Sequence, residues 1–248
     1  MSEGRRVAVV TGASSGIGAA TAHALAAAGF DVVVGARRLE RLREVAAPIG
    51  ATAIALDVRD RASVDAFRAQ VARCDVLVNN AGGALGLEPL AQADEQHWRT
   101  MWESNVLGLM LMTRAMLPKL VASGNGHIVN IGSIAGIEVY PGGAGYTSAK
   151  HAVRAVTETL RIELLGQPVR VTEIDPGMVE TEFSTVRFGG DAERAAQVYE
   201  GLTPLRAEDI ADCVTWAVTR PRHVDIDQIV VRPVAQATAT QVARGAGL

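Results

Sequence analysis

The chain has 248 residues, 48% of them hydrophobic, and a formal net charge of −3. That length and apolar content suit one domain of the larger α/β kind and argue against a second catalytic domain. The near-neutral charge argues against a polyanionic partner such as nucleic acid: the basic cluster Arg37, Arg38, Arg41 and Arg43 is interleaved with Glu40 and Glu44, the pattern of a solvated helix face.

Residues 1–6 are short and polar before the first apolar run, and no uninterrupted apolar run approaches the ~18 residues of a spanning helix, so neither a signal peptide nor a membrane anchor is expected. Seven short β-rich runs follow in order, at 7–10, 32–34, 53–56, 76–78, 127–131, 169–174 and 228–231, separated by longer helical stretches. Repeated β-α alternation predicts an α/β fold with a parallel sheet, helices on both faces and doubly wound topology. The longest helical pattern runs from about Asp94 to Ala122; its Trp98, Met101, Trp102, Val106, Leu109, Met110 and Met112 are expected to serve core and subunit contacts. An irregular stretch at 176–205 precedes the last helix and strand and is expected to be a lid or binding loop. Cys74 and Cys213 lack metal-ligand spacing; no metal site is expected, and reduced thiols imply a cytoplasmic protein.

Gly12, Gly16 and Gly18, with Ser14, Ser15 and Ile17 between them, lie between the first strand and a helix expected at 19–28. A tight turn of bare backbone at a helix N-terminus admits a pyrophosphate, although the Gly-x3-Gly-x-Gly spacing departs from the common Gly-x-Gly-x-x-Gly and glycine turns also occur without ligands. At the end of the second strand, where an acid would bind a ribose 2′-hydroxyl, the chain places Arg37 and Arg38. A guanidinium fork matches a 2′-phosphate, so NADP(H) is expected over NAD(H), the alternative being a surface arginine pair with no ligand.

Tyr146 and Lys150 stand four residues apart, on one face of a helix. A cation about 4 Å from the phenolate is worth on the order of 4 kcal/mol at an effective dielectric of ~20, enough to bring a phenol of pKa about 10 towards neutrality. Ser133, at the carboxyl end of a strand, can hydrogen-bond a substrate oxygen or be an ordinary loop hydroxyl. Asn105 is a polar break in the long helix; spacing alone leaves it either a structural residue or an anchor for water leading to Lys150.

Through Thr11 to Gly18, Asp57-Val58, Asn79-Asn80-Ala81-Gly82, Asn105, Ser133, the Tyr146/Lys150 pair and Pro176-Gly177 with Thr181, essentially the whole chain resembles the short-chain dehydrogenase/reductase family. The resemblance implies a single Rossmann-like domain over residues 1–248, a seven-stranded sheet, and a homotetramer or dimer. It implies Tyr146 as general acid/base, Lys150 lowering its pKa and binding the ribose, Ser133 orienting the carbonyl, and Asn105 anchoring a proton relay. It also implies an adenine-side contact at Asp57 and Val58, a ribose-region contact at Asn80, and a nicotinamide contact from Pro176 and Gly177 through Val179 to Thr181.

The segments Ala84-Leu85-Gly86-Leu87-Glu88-Pro89 and Thr181 to Phe188, and the tail from Arg232-Pro233-Val234, are similar to NADP-dependent 3-hydroxy acid dehydrogenases, which act on serine, allo-threonine and related short 3-hydroxy acids. Arg187 is then a clamp for the substrate carboxylate or a solvent-facing loop residue. The segment from Pro176 to Phe183 looks one residue shorter than in that group, which places Glu180 near the cofactor, where it would repel an acid. A larger ketone or aldehyde is the alternative substrate, in a pocket lined by Val139, Met178, Phe183 and Phe188. A dinucleotide-binding sensor without turnover is the third reading, against which the intact Asn105, Ser133, Tyr146 and Lys150 argue.

Overall fold

The computed structural model describes residues 4–245; the first three positions of the polar leader and the last three of the chain lie outside the described residues. Seven strands, β1 (Val7–Thr11), β2 (Asp31–Ala36), β3 (Thr52–Ala55), β4 (Val76–Asn79), β5 (Gly126–Ile131), β6 (Val169–Pro176) and β7 (Gln228–Val231), form one sheet in the order β3-β2-β1-β4-β5-β6-β7. Every pairing is parallel, from Val9 beside Val33 to Ile174 beside Ile229. The strand order reverses between β1 and β4, and in such a sheet the crevice at the carboxyl ends of those two strands is where a ligand fits.

Central strands have apolar residues on both sides because both faces are covered. On one face Ala22 and Leu25 of α1 (Gly16–Ala27), Leu42 of α2 (Leu39–Ala46) and Ile210, Val214 and Val218 of α9 (Ala207–Val218) pack on Val10, Val34, Val78 and Ile174. On the other, Val64 and Phe67 of α3 (Arg61–Gln70) and Met112, Met116 and Leu120 of α5 (Gly108–Ala122) pack on Val9, Leu77, Ile128 and Val171.

The long helix is interrupted. α4 (Glu95–Trp102) passes into a π-turn at Glu103–Leu107 before α5, so the polar break at Asn105 coincides with one wide turn in the ladder. Taken together, residues 95–122 are long and apolar enough to cross a membrane by length and composition, with half of the most apolar window buried inside the fold. The stretch at 176–205 is not structureless: it holds α7 (Glu182–Arg187), capped by the Thr181 hydroxyl, and α8 (Ala192–Gln197), capped by Asp191. Helices of six residues are too short for apolar periodicity to reveal.

Candidate active site

The site lies at the carboxyl ends of the strands, in a cavity of about 760 Å³ that runs from Arg37 and Arg38 to Tyr146 and Arg187. Its floor is the turn after β1. Gly12 (φ 67°) and Gly16 (φ 54°) both adopt the left-handed conformation that favours glycine. A Cβ on Gly12 would meet Ala81 Cα at 2.8 Å, and one on Gly18 would meet the Gly12 carbonyl oxygen at 2.6 Å. Gly18 therefore serves the packing of α1 and is absent from the cavity wall, whereas Gly12, Ser14, Ser15, Gly16 and Ile17 form part of it. Asn80 holds the turn, its Nδ2 donating to the Thr11 carbonyl at 3.0 Å.

Asp60, Asp94, Thr181 and Asp191 cap their helices by side-chain hydrogen bonds; α1 has neither a side-chain cap nor an acid in its first turn. Its leading N–H groups face the cavity without a side-chain acceptor, the arrangement that receives a phosphate. The bare backbone, the uncapped helix and the arginines beyond them fit a dinucleotide phosphate.

Arg38 donates to Ser14 Oγ (3.2 Å from Nη2) and Ser15 Oγ (2.8 Å), and Nη1 lies 3.0 Å from Glu182 of α7. Glu182 also pairs with Arg41. The acid missing after β2 is thus supplied from α7. Asp57 and Val58 line the cavity, with the Asp57 carboxylate held by Arg59 at 3.0 and 2.7 Å, which pulls its pKa below the usual carboxylate range. Pro176, Gly177, Val179 and Thr181 line the opposite wall. That wall is fixed from the tail, where Gln236 Oε1 accepts the Met178 N–H at 2.9 Å, and from the segment after α8, where the Tyr199 hydroxyl donates to the Val179 carbonyl at 2.8 Å.

At the reacting end, Tyr146 and Lys150 share one face of α6 (Ala144–Glu163). The Lys150 ammonium donates to the Ile131 carbonyl at 2.8 Å and lies 5.8 Å from the Tyr146 ring centroid. The expected fall in the Tyr146 pKa is not met in the protein alone. Burial raises it, helped by Tyr140 and Asp175, and outweighs the Ser133 hydrogen bond and the Arg187 charge that draw it down, because desolvating a phenolate costs more than these two return. Burial also brings Lys150 down to about 8. Ser133 Oγ accepts the Ala135 N–H at 3.1 Å, and the Ser133 N–H donates to Asp175 at 2.8 Å.

Asn105 is buried, with Nδ2 donating to the Gly83 and Met101 carbonyls, both at 2.8 Å. Its amide stitches the π-turn to the loop after β4 and is absent from the cavity wall, although neighbouring Ser104 is part of it. Arg187 Nε donates to the Gly86 carbonyl at 3.0 Å, and the guanidinium carbon lies 5.5 Å from the Tyr140 ring centroid and 5.9 Å from that of Tyr146. Its Nη2 is buried without a partner.

Two expectations about the wall are corrected. Val139 is 71% exposed and does not line the cavity, although Met178, Phe183 and Phe188 do. Glu180 is also exposed and outside the wall, because its backbone is bonded to Leu205 while the chain turns into α7. The sequence reading missed Arg59, Glu182, Gln236, Glu173 and Asp175. The last two had a signal: acids at alternate positions of a strand in a sheet expected to be covered by helices on both faces.

The short chain dehydrogenase family profile matches residues 6–190. The chain belongs to that family. As a short-chain dehydrogenase it is an oxidoreductase. An uncharacterized oxidoreductase of Mycobacterium tuberculosis (strain ATCC 25618 / H37Rv) is 61% identical over 237 residues, 96% of this chain and 94% of the relative. The NADP-dependent 3-hydroxy acid dehydrogenase YdfG of Salmonella typhi is 45% identical over 240 residues, 94% of this chain and 97% of the relative. Among solved structures, the closed form of serine dehydrogenase complexed with NADP+ superposes with a TM-score of 0.92 at 41% identity, covering 96% of this chain and 99% of that one.

Proposed function

We infer that this short-chain dehydrogenase is an NADP-dependent oxidoreductase that moves hydride between NADP(H) and the C3 carbon of a short 3-hydroxy acid or its semialdehyde, the class of serine, allo-threonine and 3-hydroxypropionate. The observation that carries the substrate class is Arg187, whose buried Nη2 donor has no partner beside the Tyr146 ring. A buried unpaired guanidinium donor is costly, and a carboxylate supplies its acceptor. The relatives named for 3-hydroxy acids and serine support the same class.

When bound, the dinucleotide supplies or accepts the hydride. Gly12, Ser14, Ser15, Gly16 and Ile17 would hold its pyrophosphate and Arg37 and Arg38 its 2′-phosphate. Asp57 and Val58 would meet the adenine side, Asn80 and Lys150 the ribose, and Pro176, Gly177, Val179 and Thr181 the nicotinamide. Ser133 hydrogen-bonds the substrate oxygen. In reduction the Tyr146 hydroxyl gives its proton to that oxygen; in oxidation the phenolate takes the proton back, and Lys150 passes it towards solvent along a relay that Asn105 anchors. Because burial keeps the phenol protonated, reduction starts from the ready form and oxidation calls for alkaline pH.

NADP+ reduction at alkaline pH with L- and D-serine, allo-threonine, 3-hydroxypropionate and simple alcohols tests this reading, and turnover is expected with the 3-hydroxy acids alone. Replacing Arg187 by glutamine should lower kcat/KM for them roughly 10- to 150-fold, the worth of a hydrogen bond to a charged group. The apolar Met178, Phe183 and Phe188 favour a second reading, a larger ketone or aldehyde. A higher kcat/KM for the methyl ester than for the acid would select it. A cytoplasmic homotetramer goes with this reading: Cys74 and Cys213 are unpaired, and Trp102, Leu107 and Met110 form an exposed apolar face on the long helix. Light scattering in solution would test the assembly, a monomer overturning it.

A further inference from the structure

Glu173 and Asp175 sit at alternate positions of β6, so their side chains share a face, and they are only 3% and 0% exposed. Both carboxylates lie directly beneath Gly132: a Cβ there would collide with Asp175 Oδ1 and come within 2.8 Å of Glu173 Oε1. Asp175 accepts two hydrogen bonds, Oδ1 from the Ser133 N–H at 2.8 Å and Oδ2 from Gln228 Nε2 of β7 at 2.7 Å. Glu173 Oε1 has no partner. The charged and titratable groups around the pair are Lys150, Tyr146 and Arg154, all from α6. Arg154 is paired with Glu158 at 3.0 Å. Thr157, also from α6, lies beside Glu173, with its hydroxyl donating to the Val153 carbonyl at 2.8 Å.

We propose that Asp175 and Glu173 are positioning residues for proton transfer, with ionised Asp175 fixing Ser133 by its main chain and serving as the counter-charge of Lys150, and protonated Glu173 keeping the pair at one negative charge. A carboxylate that accepts one N–H donor at each oxygen favours the ionised form against the burial that raises its pKa, whereas a carboxylate with an orphaned oxygen beside another carboxylate favours the acid. Burial and the Asp175 charge accordingly push Glu173 up to about 8. Of the two charges that raise Lys150 against the effect of burial, Asp175 is the larger. When Glu173 loses its proton the pair gains a second negative charge, which tightens the hold on the Lys150 ammonium and opposes the Tyr146 phenolate.

This inference rests on Tyr146, Lys150 and Ser133 being the reacting groups, so Tyr146→Phe is the reference. The tests measure kcat and KM from pH 6 to 10 with the most active substrate of the panel above, alongside NADPH binding by fluorescence. Asp175→Asn should lower kcat at least 10-fold, with KM for NADPH changed less than threefold, and should move the Lys150 limb of the profile to lower pH. Glu173→Gln should remove one of the two ionisations near 8 from the kcat profile and leave that of Lys150. Should Asp175→Asn fail to fold, Gln228→Leu on the edge strand removes one donor to Asp175 and should raise the pH at which activity is lost on the acid side. Wild-type kcat and pH profiles in these variants, with Tyr146→Phe inactive, would overturn the inference alone. Turnover surviving in Tyr146→Phe would overturn the reading beneath it.

Discussion

At the amino ends of β1, β4, β5 and β6 the fold gathers Arg6, Asp75, His127 and Arg170; at the carboxyl ends it gathers Ser133, Tyr146, Lys150, Glu173 and Asp175. Both groups include buried polar atoms without partners, among them Arg170 Nη2 and His127 Nδ1 at one end and Arg187 Nη2 and Glu173 Oε1 at the other. At the amino ends the charges answer the backbone. Arg6 and Arg170 donate to the carbonyls of Val218 and Val224 at 3.1 Å each, around the end of α9, and Asp75 accepts the Val7 N–H at 2.7 Å. These contacts satisfy a helix terminus and a strand entry. At the carboxyl ends Ser133, Tyr146, Lys150 and Arg187 border a cavity, so the unpaired Arg187 donor has room for a ligand within reach. Buried charge alone therefore does not mark a site; buried charge beside room for a ligand does.

Variants at the two ends should separate cleanly. Tyr146→Phe is expected to lower kcat by about 10²- to 10⁴-fold, the range of a lost general acid, with thermal stability and NADPH binding near wild type. Replacing Arg37 and Arg38 by methionine should raise KM for NADPH roughly 10- to 150-fold, and far less for NADH, since only the former offers a 2′-phosphate; equal rises would remove these arginines from cofactor choice. Arg170→Met, at the opposite end, should cost about 1–3 kcal/mol of stability, or roughly 2–4 °C in Tm per kcal/mol, and leave kcat per folded molecule unchanged. A fall in kcat would show that the ends are coupled.

The gentlest probe is pH. Burial, with help from Arg170 and Arg6, holds the His127 pKa well below 6.5, so folded His127 stays neutral where the unfolded chain takes up a proton. The unfolded state then binds more protons below pH 6.5, and stability should fall as pH drops through that value, by up to about 1.4 kcal/mol per pH unit. His127→Gln should flatten that slope in urea titrations between pH 6.5 and 5; an unchanged slope would place the acid sensitivity elsewhere, but not at Glu173 or Asp175, whose raised pKa values act in the opposite sense.

Much of this was legible in the chain because periodicity and glycine report local geometry. β7 matches its expected bounds, and β1 and β4 exceed theirs by one residue. The Gly12–Gly18 turn and the Tyr146/Lys150 face could be read because a spacing in sequence fixes their geometry. Contacts between distant segments could not. Glu182 meets Arg38 across 144 positions and Gln236 meets Met178 across 58, and no local pattern encodes either. The Tyr146 pKa was misjudged for a related reason: charge spacing was visible in the sequence, but the depth of burial that outweighs it was not.

The π-turn at 103–107 joins two halves of one helix that have different obligations. An α-helix advances 100° per residue, so one extra residue in a single turn rotates everything after it by about that angle. Upstream, Met101 packs beside Tyr146; downstream, Met112, Met116 and Leu120 fill the core under the sheet. No uninterrupted helix through these positions would keep both phases. Loss of any one residue between 103 and 107 would thus swing either the wall of the site or the core stripe out of register, whereas an equal deletion in a surface loop would leave both in place.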